Sequence, residues 1–320
     1  MWKSSLEVLK QKNVDLVFAT STPLTIGIPA LVKKSFHRTK FIFEVRDLWP
    51  EVPIQMGGLK NPILIAIAKQ LEKNIYKSAE HIIALSPGMA DGVLKYESSE
   101  KVSMIPNMAK IDEFFPREHN HELLTALGLK ANSFKLIHFG ALGLANGVES
   151  IIDSAILLKD YPDIEFIFVG GGSREPYLKD LCQKYKLNNI HFLGKYPMNT
   201  LSEIVNFCDI SLVSFMDLPI LYTNSPNKLF DSLSAGKPII VNSAGWTRNM
   251  ILENECGFYV NPNHPEELKD LIISIKNDDA LLDKLGRNSR KLAETTYDKS
   301  ILCNKFADVI SSTLLSIEKS

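Results

Sequence analysis

Three stretches in the second half of this 320-residue chain carry residues suited to gripping a phosphate group. The first is Phe139 to Gly147, FGALGLANG, in which Gly140, Gly143 and Gly147 let backbone N–H groups come close to an anion. It matches neither GxGxxG nor GxxxxGK[ST], and alone it fits a plain turn as well. The second is Val169 to Ser173, VGGGS, where Gly170, Gly171 and Gly172 leave room for a ligand against the main chain, or make a flexible connection. The third is Leu221 to Val241, LYTNSPNKLFDSLSAGKPIIV. Ser225 and Pro226 read as a helix start with a hydroxyl cap and a first-turn proline, and Ala235-Gly236 as its end. Asn227, Lys228 and Asp231 then fall on the first two turns, at the end whose dipole attracts anions. An ordinary helix–strand connection with solvated polar residues fits this stretch equally well. Together the three stretches specify a phosphate- or nucleotide-binding edge more sharply than any one alone.

In the first half, Glu44, Arg46, Asp47 and Glu51 cluster after one strand pattern. Carboxylates and an arginine at a strand end can polarise a hydroxyl or hold an acceptor. A structural ion-pair network is the alternative. His81, His138 and His191 each lie within a strand pattern and read as structural, not as a metal set. No DxD-type acidic pair stands in a suitable loop, and no serine sits in a GxSxG elbow, so no nucleophilic triad is visible.

These groups need elements to position them. Short apolar runs at Asp15–Ala19, Lys40–Val45, His81–Leu85 and Lys101–Ile105 alternate with helical patterns. After a polar segment, Ile111–Asn120, the rhythm repeats, with strands expected at Leu136–Phe139, Glu165–Val169, His191–Leu193, Ile210–Ser214, Ile239–Val241 and Phe258–Val260. Strands alternating with helices predict an α/β fold with parallel sheets covered on both faces. Two such units meeting at a linker suggest a cleft, with ligands beyond the carboxyl ends of the strands. The boundaries expected are 1–118 and 119–298, with a last helix over 299–320 returning to the first domain. The helix after Asn61-Pro62 is apolar on every side from Ile63 to Ala68 and is flanked by Lys60, Lys69, Lys73 and Lys77. Burial on two faces is the first expectation for it, and a dip into a membrane surface the second.

Composition sets outer limits. The formal net charge of −1 argues against a general nucleic-acid binder. No apolar run reaches transmembrane length, and the start lacks the apolar core of a signal peptide. The four cysteines, Cys182, Cys208, Cys256 and Cys303, have no CxxC spacing, which suits reduced thiols in a cytoplasmic protein.

The runs FEVRDLWPEVPIQMGGLKNP, LEKNIYKSAEHIIALSPGM and KVSMIPN, followed by HFGALGLANGVESII, IEFIFVGGGSREPYL, IHFLGKYPMNTLSEIV and PNKLFDSLSAGKPIIVNSAGW, resemble the family 4 glycosyltransferases in order and over nearly the whole chain. The branch is similar to bacterial O-antigen and capsule sugar transferases of the N-acetyl-L-fucosamine transferase type. The resemblance implies a GT-B fold, two Rossmann-like domains facing a cleft. It implies a retaining transfer from a nucleoside-diphosphate sugar, UDP by first choice, to a lipid-linked or glycan acceptor in surface polysaccharide synthesis. No cofactor and no metal are implied, and the work is placed at the inner face of the membrane by a peripheral protein. Carried onto this chain, Gly140, Gly143, Asn146 and Gly147 face the donor diphosphate, and Gly170 and Gly171 line the nucleotide site. Lys195 and Tyr196 flank the base, Ser225, Asn227 and Lys228 belong to the donor helix, and Asp231 binds the ribose hydroxyls. Asp47, Arg46 and Glu44 are assigned to the catalytic, acceptor side.

Three departures qualify the match. Thr223 stands where the family has the first of two glutamates, and Asp231 where it has the second. Ala141 and Asn146 replace the usual arginine and lysine of the diphosphate loop, which shifts the charge to Lys228 and its helix end. The first domain looks truncated, as if its opening strand and Gly-rich loop were elsewhere. A non-catalytic or split subunit that binds nucleotide sugar beside a complementing N-terminal chain is therefore the competing expectation. A nucleotide-sugar epimerase would need a YxxxK pair, and Tyr177, Tyr185 and Tyr222 have no lysine four positions on.

Overall fold

The computed structural model describes residues 2–318 of the chain. It divides into two compact units. The first takes the chain through Asn107, the segment Leu218–Ser225 and the residues from Ser300 on, and the second takes Met108–Asp217 and Pro226–Lys299.

In the first unit the order is α1 (Trp2–Lys10), β1 (Leu16–Thr20), α2 (Gly27–His37), β2 (Lys40–Val45), α3 (Glu51–Gln55), α4 (Pro62–Ser78), β3 (His81–Ala84), α5 (Pro87–Leu94) and β4 (Val102–Met104). The strands form one parallel sheet in the order β1-β2-β3-β4. Helix starts follow local chemistry. Asn61 accepts from the N–H groups of Ile63 and Leu64 with Pro62 in the first turn, and Ser86 accepts from Met89 N with Pro87 beside it. Ile42, Phe43, Ile82 and Ile83 are fully buried, because a parallel sheet with helices over both faces hides every side of its strands.

Helix α4 departs from the expected burial on two faces. Its second half is anchored by Glu72, Ile75 and Tyr76, but Ile63, Leu64 and Ile67 are 69%, 52% and 60% exposed. Within the all-round apolar stretch only Ile65 and Ala68 are partly covered, so one face of this half of the helix packs and the rest stays open.

The second unit continues with α6 (His121–Ala126), β5 (Phe134–Ala141), α7 (Glu149–Leu157), β6 (Ile164–Gly171), α8 (Glu175–Tyr185), β7 (Ile190–Gly194), α9 (Met198–Asn206), β8 (Ile210–Val213), α10 (Asn227–Ser234), β9 (Ile239–Val241), α11 (Trp246–Glu253), β10 (Gly257–Tyr259), α12 (Pro265–Ile275) and α13 (Asp279–Leu292). Its six strands are all parallel, in the order β10-β9-β8-β5-β6-β7. Alternation along β5 and β6 sends Leu136, Phe166 and Phe168 to one apolar layer and Ile137, Phe139 and Ile167 to the other. Residues 108–120, polar in sequence, are held in this unit by Phe114, which is fully buried and stacked on Phe139. After a π-turn at Ala293–Tyr297, α14 (Lys299–Glu318) leads back into the first unit, where Phe306 packs edge-on against Phe18. The last two positions of the expected 299–320 helix lie outside the described residues.

Candidate active site

In the second sheet, successive strands run outward from β5 to β7 and then outward again from β8 to β10. The chain changes direction between β5 and β8, and in an open parallel sheet the crevice at the carboxyl ends of those two strands takes ligands. All three phosphate-competent stretches reach this place. The FGALGLANG loop leaves β5, the VGGGS loop leaves β6, and α10 follows β8.

Two glycines are required by close backbone approach. A Cβ on Gly170, at φ +144, would fall 1.8 Å from the Gly140 carbonyl oxygen. A Cβ on Gly147, at φ +53, would meet Met216 N at 2.7 Å, so the β5 loop lies directly on the chain leaving β8. Gly140, at φ +113, and Ala141 stay exposed on the crevice floor. Gly143 precedes a single 3-10 turn, Leu144–Asn146, which turns Asn146 inward.

The charge comes from α10. Lys228 Nζ donates to Asn146 Oδ1 at 2.9 Å, lies 3.1 Å from His138 Nε2, and sits 5.9 Å from the Phe215 ring centroid. Gly140 lies directly beside it, for a Cβ there would be 3.6 Å from Lys228 Cε. Burial lowers the Lys228 ammonium to about 7. His138 is fully buried and burial, then the Lys228 charge, push it well below its ordinary range, so a neutral ring accepts from the ammonium. Ser214, at the end of β8, closes the cluster: its hydroxyl donates to the Asn146 carbonyl at 2.8 Å and lies 3.4 Å from His138 Nδ1. A cation held by neutral partners beside exposed glycine backbone is short of negative charge, which an anion at this place would compensate.

Beside this cluster lies a cavity of about 420 Å³ walled by Gly140, Val169, Gly170, Gly171, Lys195 and Tyr196. Lys195 is exposed and Tyr196 half-buried. Asp231, one turn beyond Lys228, is buried, its Oδ1 has no hydrogen-bond partner among the described residues, and burial raises it to about 7. Asn227 opens α10 and is exposed.

Ser225 does not cap this helix. The cap position is Pro226 and no side chain caps it. Ser225 belongs to the first unit, where its hydroxyl accepts from Asn107 N at 3.3 Å and its carbonyl from the Asn107 amide group. Proline at 226 leaves the α10 N-terminus open to an anion instead of closing it with a side chain.

In the first unit, Glu44 accepts from Thr20 and pairs with Arg46 at 3.5 Å, and Arg46 also reaches Asn107 Oδ1 at 3.1 Å. Both are engaged in an internal network. Asp47 is held by Thr22 Oγ1 at 2.9 Å; burial raises its carboxyl while Thr22 and Arg46 oppose the rise.

Two residues of the crevice were absent from the sequence reading as site residues: His138 and Ser214. The signal for His138 lay in strand alternation, which puts it on the same side of β5 as Gly140, two residues on. Ser214 had no such mark. Among the described residues, no three or more His, Cys, Asp or Glu side chains converge as a metal site, and no helix is long and apolar enough to cross a membrane.

Two parallel-sheet Rossmann-like domains, one with a basic, glycine-floored crevice at its switch point, define a protein of the GT-B class. HepE of Anabaena, solved with UDP and glucose, shares this fold with a TM-score of 0.80 at 19% identity, over 97% of this chain and 81% of that one. The chain belongs to the glycosyl transferases group 1, whose family model matches residues 121–292, while the model of glycosyltransferase family 4 matches residues 1–113. WcaI of Escherichia coli K12, a glycosyl transferase named for colanic acid biosynthesis, is 26% identical over 89% of this chain and 70% of its own length. An uncharacterized glycosyltransferase of Methanocaldococcus jannaschii is 25% identical over 75% of this chain, and the match spans 60% of that protein.

Proposed function

We propose that the chain is a retaining sugar transferase that takes a sugar from a nucleoside-diphosphate donor, UDP by first choice, and passes it to a lipid-linked or glycan acceptor in surface polysaccharide synthesis. The observation that carries the reading is the Lys228 ammonium held between His138 and Asn146 beside the bare backbone of Gly140. In the reaction the bond between the sugar's anomeric carbon and the diphosphate breaks, and a bond from that carbon to an acceptor hydroxyl forms. The diphosphate leaves with the electron pair, and its departing oxygen takes the proton that the hydroxyl loses. Lys228, the open start of α10 and the N–H groups of the glycine loop stabilise the negative charge gathering on the leaving diphosphate. The cavity at Gly170, Gly171, Lys195 and Tyr196 takes the base, and Asp231 takes the ribose hydroxyls. Asp47 is assigned to the acceptor side as a hydrogen-bond acceptor for the attacking hydroxyl, with Thr22 holding it, the nearby Arg46 charge opposing the rise of its carboxyl, and Glu44 pairing with Arg46. HepE's complex with UDP and WcaI's place in colanic acid synthesis support donor and pathway class. Retention, metal independence and the N-acetyl-L-fucosamine branch rest on the sequence motifs.

Transfer from a panel of UDP- and GDP-sugars to lipid-linked acceptor, with mass-spectrometric product detection, tests the reading. The expected result is product with a UDP-sugar, and for Asp47→Ala a loss of turnover on the order of a hundredfold or more with UDP affinity unchanged. Absence of product with every donor, together with absence of UDP binding, overturns it.

The acceptor's lipid points to a membrane face, and α4 supports one. Ile63, Leu64 and Ile67 are exposed, and Lys60, Lys69 and Lys73 stand near them to meet anionic headgroups. Flotation with phosphatidylcholine–phosphatidylglycerol vesicles is expected to carry the protein up. The Ile63→Asp, Ile67→Asp double variant is expected to lower partitioning about tenfold or more. Equal flotation of variant and parent removes α4 as the contact.

A further inference from the structure

The first unit contains a second polar cavity that none of the donor-side residues enters. It measures about 360 Å³, within the usual range of about 300–1,000 Å³ for small-molecule pockets. Glu72 of α4, Asp91 of α5, Tyr96 just beyond α5 and Glu51 of α3 give it its polar groups, while Leu48 and Ile220 give it an apolar wall. Glu72 is 7% exposed and accepts hydrogen bonds from the hydroxyls of Tyr76 and Tyr96. Tyr76 lies behind it, fully buried, with its ring centroid 5.9 Å from that of Tyr96. Burial raises Glu72 to about 7. Lys69 on the rim is committed to Glu51 at 3.9 Å, and among the described residues neither Glu72 nor Asp91 forms a salt bridge.

Four observations narrow the ligand. Three carboxyl groups against two lysines, Lys69 and Lys95, make the cavity a poor host for an anion. The acids do not converge as a metal site. Carboxylates and a tyrosine hydroxyl facing an aliphatic wall suit a molecule with many hydroxyl donors on one side and C–H groups on the other. Gly88 and Gly92 let α5 close tightly on Leu48 and Thr223, which fixes the α5 wall of the cavity. A Cβ on Gly92 would overlap Leu48 Cδ2 at 2.6 Å, and one on Gly88 would overlap Thr223 Cγ2 at 2.7 Å.

We infer that this cavity binds the acceptor's sugar, with Glu72 and Asp91 accepting hydrogen bonds from its hydroxyls and Leu48 and Ile220 packing on its C–H face. The inference rests on the transferase reading for the word acceptor, but its test is a binding measurement that needs no turnover. Saturation-transfer NMR of the full chain with methyl glycosides of glucose, galactose, N-acetylglucosamine and L-fucose is the experiment. At least one glycoside is expected to bind. Glu72→Gln and the exposed-rim variant Asp91→Asn are each expected to weaken that binding fivefold or more, with UDP affinity unchanged and a cooperative melting transition retained. Glu72→Gln, which removes a buried acid, is expected to melt no lower than the parent at pH 8. Lys228→Met is expected to leave glycoside binding intact. No saturation transfer to any of the four, or equal affinity in both acidic-residue variants, overturns the inference. Displacement of the glycoside by saturating UDP-glucose also overturns it, because the cavity would then serve the donor. Failure of UDP binding with glycoside binding intact counts against the transferase reading and not against the cavity.

Discussion

Lys228→Met is expected to lower the affinity for UDP-glucose by on the order of a hundredfold, about 3 kcal/mol, while the protein stays folded. The side chain donates to Asn146 Oδ1 and His138 Nε2, both neutral, and burial has lowered it to about 7. Its charge is therefore uncompensated until an anion arrives. A donor diphosphate beside Gly140 restores the ammonium toward its ordinary value, so binding above pH 7 must take up a proton. Calorimetry of UDP-glucose binding at pH 8, in buffers of different ionisation enthalpy, is expected to report uptake approaching one proton for the parent protein. At pH 6 the ammonium is already charged, and uptake falls toward zero. Lys228→Met abolishes the uptake at pH 8, since UDP-glucose has no phosphate that titrates there. The stability sign runs the other way from a salt bridge. A lysine depressed in the folded state costs stability below about 7, and the cost fades as pH rises toward 10.5. Methionine removes that cost and loses two hydrogen bonds, so the melting temperature is expected to hold within about 4 °C. Unchanged UDP-glucose affinity would separate Lys228 from the donor.

Much of the architecture could be read from the sequence because parallel strands buried on both faces must be short apolar runs, and two glycine loops after such strands, each ambiguous alone, mark a ligand edge when they occur together with the α10 stretch. The β5 and β6 loops were legible for that reason. Contacts across many residues were not. Lys228 and His138 lie 90 positions apart, and nothing in either local pattern says that one faces the other. Only the register of the sheet brings α10 beneath the β5 loop. Ser225 misled because Ser-Pro before a helix is the ordinary capping signature, whereas here Asn107, a residue 118 positions earlier, claims the hydroxyl. Helix α4 misled for a different reason. A short all-apolar turn reads the same whether it is covered or exposed, and only the packing of the folded unit decides. The cavity at Glu72 joins side chains from several elements, none carrying a motif, so it became visible only after folding.

Asp231→Asn is expected to stabilise the protein and weaken the donor at once. Its carboxyl is raised to about 7, first by burial, with Lys110 opposing and Glu113 adding to the rise. The unfolded value is 3.8, so the folded state binds the extra proton between pH 4 and 7. Stability therefore falls as pH climbs through that window, and the penalty is complete above 7. An asparagine carries none of it. The variant is expected to melt higher than the parent at pH 8, by an amount worth on the order of 2–4 kcal/mol, with the difference vanishing toward pH 4. A group kept in so costly a state needs a compensating role, and its buried Oδ1 has no hydrogen-bond partner among the described residues. UDP affinity is expected to fall about tenfold at pH 8 in Asp231→Asn, because the amide offers one acceptor oxygen and no charge. The 2′,3′-dideoxy analogue of UDP supplies the decisive comparison. Binding of the analogue should be equal in parent and variant, since its ribose has no hydroxyl to give. If the variant loses the same affinity for both nucleotides, Asp231 acts on the shape of α10 and not on the ribose. If it gains stability at pH 8 and loses nothing for UDP, the buried acid has no part in donor binding.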